Sequence, residues 1–150
     1  MKTVTDPAIK SEIISRIKRL DAENKANWGK MNAHQAVCHL SDQMKDLHGI
    51  RPVKYQGNII LRWVVRPIIS RLSKWPTGVF PASPDYDQQK KGTAPVSFEK
   101  DKEELLKLFD QLQLDKADLP LHPAFGRLSA EQYARIIYQH FDHHLRQFGV

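Results

Sequence analysis

His140 and His144 are the residues of this chain best spaced for chemistry. They lie four apart in the run Tyr138-Gln139-His140-Phe141-Asp142-His143-His144-Leu145-Arg146. Four residues advance an α-helix by about 400° and raise it by about 6 Å, so two such side chains stand nearly above one another. Their Cβ atoms are then about 5–6 Å apart, close enough for two imidazoles to reach one small ion. On the same helical wheel Tyr133, Ile136, Ile137 and Gln147 share the histidine face, and Glu131, Arg135 and Asp142 fall opposite. The histidines are expected to point inward and the charges to water, with Asp142 paired to Arg146 one turn on. Two inward imidazoles ask for a third ligand from elsewhere in the chain.

The elements that must position these residues are helices. Asp6-Pro7 opens the first, with Asp6 as N-cap and Pro7 at the first helical position, followed by Ile9, Ile13, Ile17 and Leu20 at helical spacing. Asn32-Ala33-His34-Gln35 is a capping-box start, and the helix it opens ends at Gly49. Its apolar face is Ala33, Ala36, Val37, Leu40, Met44 and Leu47. His39 sits at the flank of that face, on a strip shared with Gln35 and Gln43, where a side chain can meet an interior pocket. His34 and His48 are expected on the solvated far side.

Residues 57–74 form a third, very apolar segment interrupted by Arg62, Arg66 and Arg71, and Pro67 should kink or split it. A membrane-surface helix is one reading; a core helix that can also cover a second copy in a homodimer is the preferred one. Residues 75–96 carry repeated Pro and Gly and are expected to form a loop, a candidate lid. Ser97 then caps a helix with acids in its first turns and the stripe Leu105, Leu108, Phe109, Leu112. Ser129 and Gln132 box the start of the last helix. The fold class is all-α: an antiparallel four-helix bundle, one domain over residues 1–150, with a long loop between the third and fourth helical segments.

Composition narrows the function classes. Of 150 residues 41 % are hydrophobic and 27 % charged, ordinary for a soluble globular protein. The net charge of +6 is spread along the chain without a basic block or a nucleic-acid motif, so neither a nucleic-acid nor a membrane partner is expected. The opening residues lack an apolar h-region, and the lone Cys38 cannot close an internal disulfide. A cytoplasmic location is expected. Cys38 adjoins His39 but points about 100° away around the helix, so a shared metal is not expected.

Several stretches resemble a known family. Trp28-Gly29-Lys30-Met31, a following helix with Cys38-His39-Leu40, the loop His122-Pro123-Ala124-Phe125-Gly126 and the run from Tyr138 to Gly149 are similar to the DinB/YfiT-like superfamily, in a branch of unassigned function. The resemblance covers essentially the whole chain. It implies a four-helix bundle that holds a divalent metal with one histidine of the second helix and two of an HxxxH on the last, here His39, His140 and His144. Three neutral imidazoles leave positions open for substrate, the catalytic pattern. The implied cofactor is a divalent metal, zinc or nickel. The implied activity is a metal-dependent thiol S-transferase acting on a small-molecule substrate, with a low-molecular-weight thiol as partner. Metal-dependent hydrolysis and a non-catalytic, stress-associated metal-binding protein are the alternatives. His143 is expected behind the ligands or in the pocket, and His122 has either a pocket role or a turn-stabilising one.

Overall fold

Helix starts in this chain are written in side chains that answer unpaired N–H groups. The computed structural model describes residues 1–78, 85–116 and 118–150. Helix α1 (Pro7–Arg19) begins where Asp6 accepts from the N–H of Ala8 at 2.9 Å, with Pro7 in the first turn. Helix α2 (Ala33–Leu47) opens on the anticipated reciprocal pair: the N–H of Gln35 donates to Asn32 Oδ1 at 2.8 Å and the N–H of Asn32 to Gln35 Oε1 at 3.0 Å. It ends before Gly49, whose φ of +71° belongs to the left-handed region that glycine enters without a Cβ penalty. Replacing Asn32 by alanine leaves the Gln35 N–H without its side-chain acceptor and is expected to lower stability by about 1 kcal/mol. Urea unfolding measures this, and a loss below a few tenths would mean that water replaces the cap.

Residues 57–74 were expected to be a core helix and are not. Residues 59–69 are helical, but Leu61–Val65 form a wide π turn, in which the N–H of Arg66 reaches back to the carbonyl of Leu61, before the short helix α3 (Arg66–Ile69). Pro67 has no N–H for the Trp63 carbonyl and its ring crowds that carbonyl. The widened turn just upstream accommodates it. Only Ile69 of this stretch is buried, while Leu61 and Val65 are half-covered. The apolar residues between them face outward.

Helix α4 (Phe98–Asp110) has Ser97 at its N-cap, as anticipated, yet the serine side chain makes no capping bond. The carboxylate of Asp101 instead reaches back to hold the chain before the helix, accepting from the N–H groups of Val96 at 3.0 Å and Ser97 at 3.3 Å. Helix α5 (Ala130–Gln147) starts with the expected Ser129–Gln132 box. Among the described residues no strand occurs, only an isolated antiparallel bridge between His122 and Gly126, so the fold is all-α.

The four long helices share one core. Ile13, Ile17 and Leu20 from α1 and its end, Val37, Leu40 and Met44 from α2, Leu105 and Phe109 from α4, and Ile136, Ile137, Phe141 and Leu145 from α5 are all buried within it. Phe109 and Phe141 meet at its centre with ring centroids 4.6 Å apart. Helix α4 packs on both α1 and α2, and α1 also on α5. The α2–α4 packing overturns the expectation for His34 and His48. Both are half-buried and bonded to α4 or its end, His34 Nε2 to Asp101 at 2.6 Å and His48 Nε2 to the carbonyl of Leu108 at 2.8 Å. A second apolar element lies on what the wheel marked as the water side of α2.

Candidate metal centre

Helices α2 and α5 bring three imidazoles together. The ring centroids of His39, His140 and His144 form a nearly equilateral triangle, 4.9, 4.8 and 4.8 Å on a side. The rings stand edge to face, at 73° to 81°. One nitrogen of each lies within 4.8 Å of the others, and His39 Nε2 and His140 Nε2 are 2.9 Å apart.

The other nitrogen of each ring is engaged. His39 Nδ1 meets the backbone carbonyl of Tyr86 at 2.9 Å, His140 Nδ1 meets Gln43 Oε1 at 2.8 Å, and His144 Nδ1 meets Gln147 Oε1 at 2.9 Å. An oxygen acceptor on Nδ1 puts the ring proton there and leaves Nε2 with a bare lone pair. The backbone carbonyl on His39 admits no other assignment. The amide of Gln147 is fixed as well, because its nitrogen donates to the carbonyl of Trp28 at 2.6 Å, so its oxygen faces His144. With Gln43 Oε1 on His140 Nδ1, two lone pairs face each other 2.9 Å apart and a cation beside them relieves the repulsion; with the Gln43 amide turned, His140 Nε2–H donates to His39 Nε2 instead.

A proton is a poor candidate for that positive charge. Burial holds His140 and His144 well below the ordinary histidine range, and the neighbouring imidazoles push the same way. His39 is lowered too, by burial, against the opposing pull of the Tyr86 carbonyl and of Asp42. All three rings are therefore neutral at pH 7, the form in which imidazole binds metal. This donor set fits a divalent ion, and the oxygen behind each ring is the usual support of a metal-bound histidine.

Around the cluster stand aromatic rings. Trp75 lies 5.9 Å from His140, and His143 packs between Trp28 at 5.7 Å and Trp75 at 6.4 Å. His143 is 5.0 Å from His144, outside the triangle of nitrogens, and its Nδ1 is buried without a hydrogen-bond partner among the described residues. Tyr86, which positions His39, is tied down by donating its hydroxyl to Asp46. Nearby, Asp42 accepts from the N–H of Thr93 at 3.1 Å. Residues 85–93 of the expected lid are thus strapped to α2. Residues 79–84 of it lie outside the described residues.

Two other histidine or cysteine groupings have structural explanations. Cys38 faces His34 and Asp101, not His39, and burial, then the charges of Asp101 and Asp42, push its thiol up to about 12. The Asp101 oxygen of that group is already bonded to His34 and to two backbone N–H groups just before α4, so it holds the entry to that helix. His122 takes the turn-stabilising role. Its Nδ1 accepts from the N–H groups of Ala124 and Phe125, both at 3.2 Å, and its ring stacks on Phe125 at 4.6 Å.

Burial lowers His122 to about 3, which makes it an acid-sensitive latch. The folded value lies below the unfolded value of about 6.5, so the unfolded chain binds the extra proton as pH falls. The stability it contributes is whole above about pH 6.5 and is lost as the pH drops toward the folded value. Between pH 7 and 5 the loss is about 2 kcal/mol. A His122→Asn chain keeps an acceptor without the titration. Its stability should fall less over that interval by the same amount, as unfolding curves at the two pH values would record. Parallel curves would remove His122 from the account.

Sequence reasoning had marked Gln43 and Gln147 as sharing the histidine strips without giving them a task. Tyr86 carried no signal, since its carbonyl reaches His39 only by return of the loop across 47 positions. Compared with protein-family models, the chain matches over residues 8–149 a family described as a protein of unknown function, DUF1569. No curated protein and no solved structure matches it.

Proposed function

Since the chain belongs to the DUF1569 family, which has no assigned activity, we propose from its own residues that it holds one divalent metal ion on His39, His140 and His144. The observation that supports this reading is the cluster itself: one ring nitrogen of each histidine lies within 4.8 Å of the others, and the Nδ1 atoms are engaged outside it by Tyr86 O, Gln43 and Gln147. Imidazoles bind such an ion from about 2.0–2.1 Å, and three of them leave coordination positions free for water or substrate. The ligand set suits zinc or nickel. The source of the ligands, one from α2 and an HxxxH from α5, supports reading the four long helices as an antiparallel bundle of the DinB-like kind.

Bound there, the ion supplies Lewis acidity that favours deprotonation of a coordinated thiol or water near neutral pH. The activity we propose is transfer of a low-molecular-weight thiol to an electrophilic small molecule. The sulfur forms a bond to the electrophilic carbon, the bond to the leaving group breaks, and the thiol proton departs. The chain contributes orientation of the three ligand rings and a water-poor wall from Trp28 and Trp75. His143, 5.0 Å from His144 and with its Nδ1 unpartnered among the described residues, is its candidate group for taking up the released proton.

Calorimetric titration of metal-free protein with zinc, nickel and cobalt ions tests the centre, and a panel of thiols with electrophiles tests the reaction. One ion per chain and metal-dependent loss of thiol are expected. Failure to bind any of the ions sinks the whole reading. Stoichiometric binding without thiol turnover keeps the centre and removes the transferase. Ester or amide cleavage that needs metal but no thiol would put hydrolysis in its place.

A further inference from the structure

The stretch between α2 and the loop at Asp85 has two peculiarities that the metal centre does not use. The first is exposure. Ile59, Ile60, Trp63, Val64 and Ile68 are each 52 % to 74 % exposed, on a helix whose opposite side, Leu61, Val65 and Ile69, already faces the protein. Ile60, Trp63, Val64 and Ile68 recur at helical spacing, so the helix has a second apolar stripe with nothing on it among the described residues. Contiguous exposed apolar surface of this kind marks a docking face.

The second is charge. From Leu47 to Pro84 there is no Asp or Glu, while Arg51, Lys54, Arg62, Arg66, Arg71 and Lys74 all fall in that interval. Arg51 is paired back onto Asp42 and Asp46. Among the described residues Arg66 reaches the carbonyl of Arg127, and Arg62 lies over the ring of Trp63. Within the segment itself the apolar stripe is therefore flanked by cations and by no carboxylate.

These facts choose between occupants. A second copy docking through the same face would bring its Arg62, Arg66 and Arg71 into one interface with these three, because a two-fold interface pairs a patch with itself. Like charges so placed oppose association. An anionic lipid surface offers apolar depth beneath a negative layer, the complement of this face, and tryptophan is a favoured residue at that boundary. We propose that residues 59–69 dock the protein onto an anionic lipid bilayer, with Ile60, Trp63, Val64 and Ile68 inserted and Arg62, Arg66 and Arg71 at the headgroup phosphates. Among the described residues no helix is long and apolar enough to cross a membrane, so the docking is superficial. The docked segment is coupled to the histidine cluster. Gln139, beside His140, donates to the carbonyls of Ile69 and Leu72 at 3.0 and 2.5 Å, and Trp75 at its end lies on His140.

Co-sedimentation of the full chain with phosphatidylcholine vesicles, with and without phosphatidylserine, tests this directly. Partitioning should rise on the order of a hundredfold with the anionic lipid and fall again in high salt. Tryptophan emission should shift to the blue on binding. A Trp63→Ser/Ile60→Ser/Ile68→Ser chain, altered only at exposed positions and checked for wild-type helicity, should lose both signals. An Arg62→Gln/Arg71→Gln chain should lose the preference for anionic lipid. Absence of vesicle binding, or equal binding to neutral vesicles, overturns the proposal. So does a stable dimer that the triple variant splits without any vesicle binding, which would make the face a contact between copies.

Discussion

A His144→Ala chain is expected to lose divalent-ion binding, by more than a hundredfold in affinity, while keeping its helical content. Loss of an outer partner of a metal-bound histidine typically costs about 10–100-fold, and loss of the ligand itself costs more. His144 suits this test because its surroundings separate the two cases. Its Nε2 faces the cluster, and its Nδ1 is bonded to Gln147, which is anchored in turn on the Trp28 carbonyl. A Gln147→Leu chain keeps all three ligands and removes the bonds to His144 Nδ1 and to the Trp28 carbonyl, so its affinity should fall within the 10–100-fold range. Cobalt titration followed by visible absorption reads both variants, and the order wild type, Gln147→Leu, His144→Ala is the expected one. The wild-type protein should also melt higher with metal present, in proportion to the logarithm of the ion concentration above its dissociation constant, and the His144→Ala chain should not. Unchanged affinity in His144→Ala would remove it from the ligand set.

The parts of this site that could be read from the chain alone are those confined to one helix. His140 and His144 share a face because helical pitch requires it, and Tyr133, Ile136, Ile137 and Gln147 are buried with them as the wheel implied. The capping boxes at Asn32 and Ser129 are likewise local, each closed within four residues. What failed depends on a second element. Asp142 was assigned to water because it lies opposite the histidines, yet it is 7 % exposed, since α1 covers that side of α5. Arg135 was assigned to water too and is half-covered, reaching the Ser70 carbonyl at 3.4 Å. His34 and His48 were misplaced for the same reason, with α4 as the covering element. Residues 57–74 erred in the other direction. Their hydropathy is that of a core, but α1, α2, α4 and α5 already fill it, and of this stretch Ile69 alone is buried there, with Val65 packed at its edge. Periodicity says which residues share a face, not how many faces of a helix are covered.

Asp142 turns that distinction into a measurement. Arg16 Nη1 meets Asp142 Oδ1 at 2.9 Å, and Arg146 Nε meets Asp142 Oδ2 at 2.8 Å. Arg16 is itself 8 % exposed and also donates through Nε and Nη2 to the carbonyl of Val150 at 3.1 and 2.9 Å, so one guanidinium joins α1, α5 and Val150. A solvated Asp–Arg pair one turn apart contributes at most about 1 kcal/mol. Breaking a buried pair costs about 3–5 kcal/mol, because the remaining charge is left in a medium that cannot solvate it. Asp142→Ala should therefore destabilise the protein by about 3 kcal/mol. The lower end applies because Arg16 keeps the Val150 carbonyl and the more distant Glu12, 3.7 Å away. Arg146 can turn to solvent, being a quarter exposed along its side chain. An Arg16→Met/Asp142→Leu chain removes both charges at once, and since apolar residues can replace a buried pair at little cost, it should recover most of the loss. Urea unfolding of the three proteins decides the matter. A cost below about 1 kcal/mol for Asp142→Ala would return the residue to the solvated role that the helical wheel alone assigns it. A double variant as unstable as the single one would mean that lost packing, not the stranded arginine, sets the cost.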